Sequence, residues 1–322
     1  MTQSQAKAVS FVKKMSLQIA VLAGFLIIWA IFFALNPSVF SNPVTYGAIL
    51  VTVPIYIILA LPLTFITICG EIDLSFGSVT AIGGMIFAVT LISTDNPQLG
   101  LILSLAVCTL VGASIGFLVA KVALPSMILT LGMMFFLRGI IYVLTGGSSM
   151  GIISHMQPGF TDLLVGLVWG IPIQLLWAAL FAFLAWLFLN RHVFGAYLYY
   201  VGNNENSARL RGINVGNVKM TAFAIVGVAC GIAGIMAVLI NKTFFGTLGD
   251  GYLLPVLAMV FVGSTPPKGG TGTIFGTFVG GMIIGIIDSG LIAAGGVGYW
   301  TRLLFGLVII LSITIFKFLR RT

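Results

Sequence analysis

The chain has 322 residues, of which 59% are hydrophobic and only 7% are charged. An average soluble domain carries about 25% charged residues, so this chain has too little charge to cover a surface in water. These values exclude an ordinary soluble domain and indicate an integral membrane protein. The net charge of +8 does not indicate a nucleic-acid partner, because the basic residues are dispersed among the polar segments and form no continuous stripe.

Apolar segments of membrane-spanning length recur along the whole chain. A spanning helix needs about 20 apolar residues, and ten segments reach or approach that length. The sequence therefore predicts an all-α polytopic membrane protein, with one transmembrane domain over residues 1–322 and about ten transmembrane helices. The ten predicted spans are residues 17–35, 44–68, 76–94, 99–119, 127–144, 175–190, 220–241, 252–264, 272–293 and 299–318.

The positions of Lys and Arg predict how these spans are oriented. If the N-terminus lies inside and the spans alternate, twelve of the fifteen basic residues fall in inner segments and only Lys242 falls in an outer one. An excess of Lys and Arg marks the cytoplasmic side of a membrane protein. We therefore expect both termini and residues 191–219 in the cytoplasm, and residues 145–174 outside.

The order of the spans also suggests an internal repeat. Spans two to five would correspond to spans seven to ten, and the offset of five spans would invert the second copy, a pattern common in transporters. Direct sequence support comes from VGASIG at 111–116 and VGGMIIG at 279–285. Small residues at such spacings let helix backbones approach closely in lipid.

The stretch GEIDLSFGS, residues 70–78, places carboxylates between two spans that have almost no loop between them. Carboxylates this close to hydrocarbon usually face protein or water. Two interpretations stay open at this stage. Glu71, Asp73 and Ser75 line the translocation pathway beside a broken helix, or the stretch is a tight turn in which Asp73 or Ser75 caps the next helix.

Asp288 is the deepest carboxylate of the predicted spans, and we expect it to face the pathway or to pair with a neighbour. No metal site is predicted, since His155 and His192 stand alone and the cysteines have no C-x-x-C spacing. The stretch GSTPPKGGTGT, residues 263–273, lacks the Gly-Lys-Ser/Thr ending of a phosphate-binding loop. The sequence therefore predicts no cofactor in this chain and no enzyme activity.

The largest polar block is GNNENSARLRGINVGNVK, residues 202–219. Glu205, Ala208 and Gly212 follow each other at spacings of three and four, which places them on one face of a helix. An Asn at position 203 or 204 can cap the helix start, and Gly212 suits its end. We predict a short helix that projects from the membrane with a small-residue face at Ala208.

Four stretches, taken in order, carry a resemblance to a known family. They are GEIDLSFGS, PSMILTLGMMFFLRGIIYVLTGG, YYVGNNENSARLRGINV and GTGTIFGTFVGG. With them the chain resembles the permease subunits of monosaccharide ABC importers, of the ribose, galactose and autoinducer-2 type, within the branched-chain amino acid permease superfamily. The resemblance implies a multi-pass protein of the bacterial inner membrane that imports a monosaccharide or a similar polyhydroxylated solute.

The same resemblance implies partners. They are a cytoplasmic ATPase subunit that holds ATP and Mg, a second permease copy, identical or paralogous, and a periplasmic or lipid-anchored solute-binding protein, all beside membrane lipid. The competing class is a self-sufficient secondary transporter or channel. That class would need a relay of ionisable residues inside the membrane, and the sequence offers few.

The polar block resembles the Glu-Ala-Ala-x-x-x-Gly coupling element of ABC permeases, which docks into a groove on the ATPase. Ser207 stands where that element has its second Ala, and Glu71 stands where the family usually has Gly. The alternative is a solvated loop whose arginines fix the topology or touch anionic lipid. The coupling interpretation predicts that the block contacts the ATPase through Asn203, Glu205, Ala208, Arg209, Arg211 and Gly212.

Overall fold

The computed structural model describes residues 3–293 and 298–319, and almost all of its regular structure is helical. One 3-10 turn, Ile153–His155, and four two-residue strands are the other regular elements in these ranges. The strands are β1 (Met150–Gly151), β2 (Leu167–Val168), β3 (Ile171–Pro172) and β4 (Thr243–Phe244). The helices are α1 (Gln3–Leu35), α2 (Pro37–Phe40), α3 (Pro43–Ile68), α4 (Phe76–Thr94), α5 (Pro97–Ala120), α6 (Ser126–Thr145), α7 (Pro158–Val165), α8 (Ile173–Asn190), α9 (Val193–Asn203), α10 (Glu205–Leu210), α11 (Val215–Asn241), α12 (Leu253–Val262), α13 (Ile274–Ala293) and α14 (Gly298–Leu319).

Within those two ranges, 7 helices are long and apolar enough to cross a membrane, namely α3, α4, α5, α6, α8, α11 and α13. Shorter apolar helical segments are Val21–Leu35, Leu253–Val262 and Trp300–Ser312. Each of the ten predicted spans overlaps one of these segments. The prediction of an all-α polytopic membrane protein is confirmed.

The core is built around α11, which packs on α3, α4 and α5. Glycines bring the backbones of these helices together. A Cβ added at Gly227 would overlap the carbonyl oxygen of Cys108 in α5, and one added at Gly234 would overlap that of Thr80 in α4. Small residues at helix interfaces allow such close packing in lipid, so α4, α5 and α11 form one tightly packed unit.

The helix contacts follow the order that the predicted repeat requires. In the first set α4 packs on α5 and α6, and in the second set α12 packs on α13 and α14. The first helix of each set packs on the helices of the other set. Helix α3 packs on α12 and α13, and α11 packs on α4 and α5. Gly112 and Gly116 of α5 face α11, and Gly281 and Gly285 of α13 face α3. The inverted orientation of the second set stays a prediction.

The two ends of the bundle carry different structures. At the end where α11 finishes, β1 pairs with β4 in antiparallel register, Met150 opposite Phe244. Nearby in the chain, β2 and β3 form a hairpin that turns at Trp169 and Gly170, both with positive φ. At the end where α11 begins lie α9, α10, the α3–α4 turn and the α12–α13 turn. We call these the hairpin end and the α10 end.

Candidate functional site

The polar block folds into a short helix, α10, which a single residue separates from the end of α9. Asn204 caps its start, because its side-chain oxygen accepts a hydrogen bond from the Ser207 N–H at 2.9 Å. Gly212 ends it with a φ of +78, and the N–H of Ile213 donates to the Ala208 carbonyl at 3.2 Å. A left-handed residue after a helix favours glycine. The predicted short helix, with an Asn at its start and Gly212 at its end, is confirmed.

The two faces of α10 differ from the expectation. Ala208 is 1% exposed and packs into the core of the chain itself, so it forms no outward small-residue face. The outward face carries Leu210, which is 90% exposed, and Arg211, whose guanidinium lies 4.9 Å from the centre of the Tyr200 ring. Sequence reasoning missed Leu210, although a leucine between two arginines in ARLRG is a signal that could have found it.

Lys219, near the start of α11, lies between two carboxylates. Its Nζ atom is 2.7 Å from Glu71 Oε1 in the α3–α4 turn and 2.9 Å from Glu205 Oε2 in α10. The other oxygen of Glu205 accepts a hydrogen bond from Arg209 at 2.6 Å. The Lys219 side chain is only 8% exposed. We call Glu71, Lys219 and Glu205 the Lys219 bridge, because they join three elements that are far apart in the sequence.

Charges in and beside the bridge balance, with two carboxylates facing two cations. Partial burial alone would raise the pKa of the Glu205 carboxyl, but hydrogen bonds from Lys219 and Arg209 outweigh burial and hold that pKa below its usual range. Removing one partner from a buried pair leaves an uncompensated charge, which costs more than the pair itself contributes. The bridge therefore fixes the relative position of its elements.

Glu71, Asp73 and Ser75, predicted for the translocation pathway, lie at the α10 end. Glu71 belongs to the bridge. Asp73 is 3% exposed, and its Oδ1 accepts hydrogen bonds from the N–H and the hydroxyl of Ser75 at 2.7 and 2.6 Å. Burial raises the pKa of the Asp73 carboxyl, although these hydrogen bonds lower it in part. Of the two interpretations left open, the geometry matches a tight turn, in which Asp73 binds Ser75, the residue that directly precedes α4.

The α3–α4 turn is also bonded to α6. The backbone N–H of Ile72 donates to the Ser126 hydroxyl at 3.2 Å, and that of Leu74 donates to the Thr130 hydroxyl at 3.1 Å. Buried backbone groups need such partners when the helix ladder is interrupted. The turn is therefore an ordered part of the bundle, joined to α6 on one side and to Lys219 on another.

Asn203, a predicted coupling residue, ties the end of α9 to the α12–α13 turn. Its side-chain nitrogen donates to the Tyr199 carbonyl at 2.9 Å and approaches the Gly270 carbonyl at 3.5 Å. A Cβ added at Gly202 would overlap the carbonyl oxygen of Ile68, which already accepts a hydrogen bond from the Gly270 N–H at 2.8 Å. The segment before α10 thus contacts both turns by direct backbone packing.

Asp288 lies in α13, towards the hairpin end and apart from the other predicted pathway residues. It lines a cavity of about 720 Å³ together with Tyr56 and Thr301. Asp250, at the same cavity, pairs with Arg138 of α6 at 2.5 Å. Cavities of this volume hold small ligands, and a few convergent polar groups orient them. Among the residues that the structure describes, no cluster of three or more His, Cys, Asp or Glu side chains is fit to hold a metal ion.

In the comparison with protein families, the chain matches the branched-chain amino acid transport system / permease component family. The match covers residues 45–313. That range contains the α3–α4 turn, α10, the Lys219 bridge and the cavity beside Asp288. The candidate site thus lies entirely within the matched region.

Curated proteins similar to this chain include three import permeases. The ribose import permease protein of Escherichia coli (strain K12) is 32% identical over 322 residues, which cover 98% of both chains. The D-allose transport system permease protein of the same strain is 30% identical over 290 residues, covering 90% of this chain and 88% of that protein. The autoinducer 2 import system permease protein of Yersinia pseudotuberculosis (serotype O:3, strain YPIII) is 31% identical over 271 residues, covering 83% and 75%. No solved structure matches the chain.

Proposed function

Because the chain belongs to the branched-chain amino acid transport system permease family, we propose that it is the membrane-spanning subunit of an ATP-driven importer for a monosaccharide or a similar small polyhydroxylated solute. Ribose and D-allose, named for two similar permeases, are monosaccharides and support this solute class. The cavity beside Asp288 supports it as well, since its carboxylate and hydroxyl groups can exchange hydrogen bonds with a polyol.

The observation that carries the proposal is the outward face of α10. Leu210 at the end of α10, Arg211 directly after it and Tyr200 of α9 bring an apolar, an arginine and an aromatic side chain together, on the side of α10 away from the buried Ala208. Arginine and aromatic residues are enriched at protein interfaces. We assign this face to the ATPase, a separate chain that binds and hydrolyses ATP with Mg. Closure of the ATPase pair then moves α10 and reopens the pathway on the other side.

Orientation and assembly belong to the same proposal. The α10 end faces the cytoplasm together with both termini, because most Lys and Arg residues lie on that side of the predicted topology. The hairpin end faces outward and receives the solute from a binding protein. A second permease copy, identical or paralogous, completes the membrane part of the importer in the bacterial inner membrane.

The test is Leu210→Glu in proteoliposomes that hold the permease, the ATPase and the binding protein. A carboxylate in a desolvated contact is unfavourable, so we expect ATPase co-purification and ATP-driven uptake to fall by about tenfold or more, the effect of losing an interface hot spot. Leu167→Glu is the matched control, since Leu167 is 70% exposed in the hairpin, and it should leave ATPase co-purification unchanged.

Two results would overturn the proposal. One is normal ATPase co-purification and normal uptake in Leu210→Glu. The other is uptake by the permease alone that follows an imposed ion gradient and ignores ATP, which would make the chain a secondary transporter.

A further inference from the structure

We propose that Lys219 is a positioning residue that ties α10 to the α3–α4 turn, so that displacement of α10 by the ATPase reaches the start of α4. This inference rests on the proposed role of α10 and extends it to the route by which its motion enters the membrane. It assigns a role to Glu71 and Lys219, two charged residues that the docking face does not use.

The position of Lys219 carries the first step. Its ammonium group lies within hydrogen-bond distance of one carboxylate on each side, Glu71 at 2.7 Å and Glu205 at 2.9 Å. Glu205 is the first residue of α10, and Glu71 lies two residues before Asp73, whose carboxyl binds the N–H of Ser75 just before α4. One ammonium group therefore connects the beginning of α10 with the segment that begins α4.

Burial makes this connection stiff. The Lys219 side chain is 8% exposed and Glu71 is 17% exposed, so neither group is free to exchange its partner for bulk water at low cost. Hydrogen bonds between ionised groups are stronger than neutral ones, and pulling one partner out leaves a buried charge unpaired. Glu205 is more open, with a side chain that is 40% exposed, and charge-assisted hydrogen bonds from Lys219 and Arg209 hold it. The link between Lys219 and Glu71 is therefore the stiff part of the bridge, and the ion pair with Glu205 ties α10 to it.

The far side of the bridge leads into the bundle. The α3–α4 turn bonds to Ser126 and Thr130 of α6, and the Ser78 hydroxyl in α4 donates to the Met134 carbonyl of α6 at 2.8 Å. Coupling between distant sites needs such a contiguous set of packed and hydrogen-bonded groups. The route runs from α10 through Lys219 and Glu71 to the beginning of α4 and to α6.

The experiment measures ATP hydrolysed per solute imported in the reconstituted complex. Lys219→Met keeps the length of the side chain and removes its charge, and Glu71→Gln keeps the shape of the turn and weakens the link. We expect each variant to retain the ATPase on co-purification and to raise the ATP spent per solute, by about tenfold for Lys219→Met, within the range of coupling between residues in direct contact. Lys219→Arg should bring the ratio back towards that of the unmodified chain.

The double variant shows whether Glu71 and Lys219 act through their shared contact or independently of each other. Glu71→Gln combined with Lys219→Met should behave like Lys219→Met alone, because both changes remove the same contact. Lys121→Met is the matched control, since Lys121 is an exposed lysine at the end of α5 that lies against Gly216 of α11, the helix that carries Lys219. It should leave the ratio of ATP to solute unchanged.

Several outcomes decide against the bridge while leaving the docking role of α10 in place. An unchanged ratio in Lys219→Met, with normal ATPase co-purification, overturns it, and so do effects that multiply in the double variant. Loss of ATPase co-purification in Leu210→Glu, measured in parallel, reports on the proposed function by itself. Should Lys219→Met fail to insert, Glu71→Gln carries the same comparison.

Discussion

Asp73 shows at the scale of one residue how a buried carboxyl fixes the start of a membrane helix. One of its oxygens accepts hydrogen bonds from both the N–H and the hydroxyl of Ser75, just before α4 begins at Phe76. An amide side chain offers the same acceptor without a charge. The turn therefore depends on the acceptor oxygen of Asp73. The negative charge of the carboxylate is unfavourable there, because the side chain is buried.

We predict that Asp73→Asn preserves the fold and that Asp73→Ala lowers the free energy of unfolding by about 1–3 kcal/mol, the cost of leaving buried donors unpaired. Thermal unfolding in detergent micelles measures this difference. Equal stability of the Ala and Asn variants would show that the two hydrogen bonds to Ser75 do not stabilise the turn.

The raised pKa of Asp73 predicts a pH dependence with a definite sign. A carboxyl whose pKa is higher in the folded chain binds more protons folded than unfolded, so ionisation lowers stability as the pH rises from about 4, the ordinary value, through the raised value. Unfolding temperatures of the unmodified chain minus those of Asp73→Asn should therefore decrease as the pH rises across this window. Parallel curves for the two proteins would contradict the burial argument.

At the scale of the element, α11 depends on glycines that have no room for a side chain. Gly227 lies against the backbone of Cys108 and Thr109 in α5, and Gly234 lies against the backbone of Thr80 and Gly84 in α4. In lipid, helices associate through close packing. Lipid tails are as apolar as the helix surfaces, so the hydrophobic effect does not drive the helices together there. The packing of α4, α5 and α11 therefore rests on backbone contact.

We predict that Gly227→Ala destabilises the protein, because its Cβ would overlap the carbonyl oxygen of Cys108 and force α5 and α11 apart. Gly132→Ala in α6 is the control, since nothing lies within 4 Å of a Cβ added there. That change should be neutral or stabilise the helix by up to about 1 kcal/mol. The yield of folded protein and its unfolding temperature measure both, and equal values would contradict the packing of α11.

At the scale of the whole molecule, the two ends of the bundle differ in structure and in charge. The α10 end holds the Lys219 bridge and the two turns, while the hairpin end holds the paired strands and the connection from α6 to α8. This asymmetry fits the proposed importer, in which the ATPase and the solute lie on opposite sides of the membrane.

Cysteine labelling in intact cells tests the orientation. The native cysteines Cys69, Cys108 and Cys230 are buried and are replaced first. In that background Ser148→Cys should react with a membrane-impermeant reagent added outside, and Ser207→Cys should react only after the cells are opened. Both serines are exposed, so labelling of both from one side would contradict the ten-span topology.

Features that depend only on neighbours along the chain were predictable from the sequence. Apolar runs of spanning length located the membrane helices, because the hydrocarbon core sets the length of each one. The family likeness followed from motifs read in order. The cap and the glycine that bound α10 were also predictable, because a helix end is satisfied by residues within one turn of it. Only the choice of Asn204 over Asn203 needed the structure.

Which residues of α10 are buried, and which charged side chains form ion pairs, depends on the tertiary structure. The spacing of Glu205, Ala208 and Gly212 defined a face, but whether that face is buried depends on α9 and α11 packed against it. Likewise, Glu71 stood in the sequence as a carboxylate without a partner, since Lys219 comes near it only after α3, α10 and α11 have assembled. Local rules cannot find such a pair, because its two members share no turn of helix and no strand, only a position in the folded bundle.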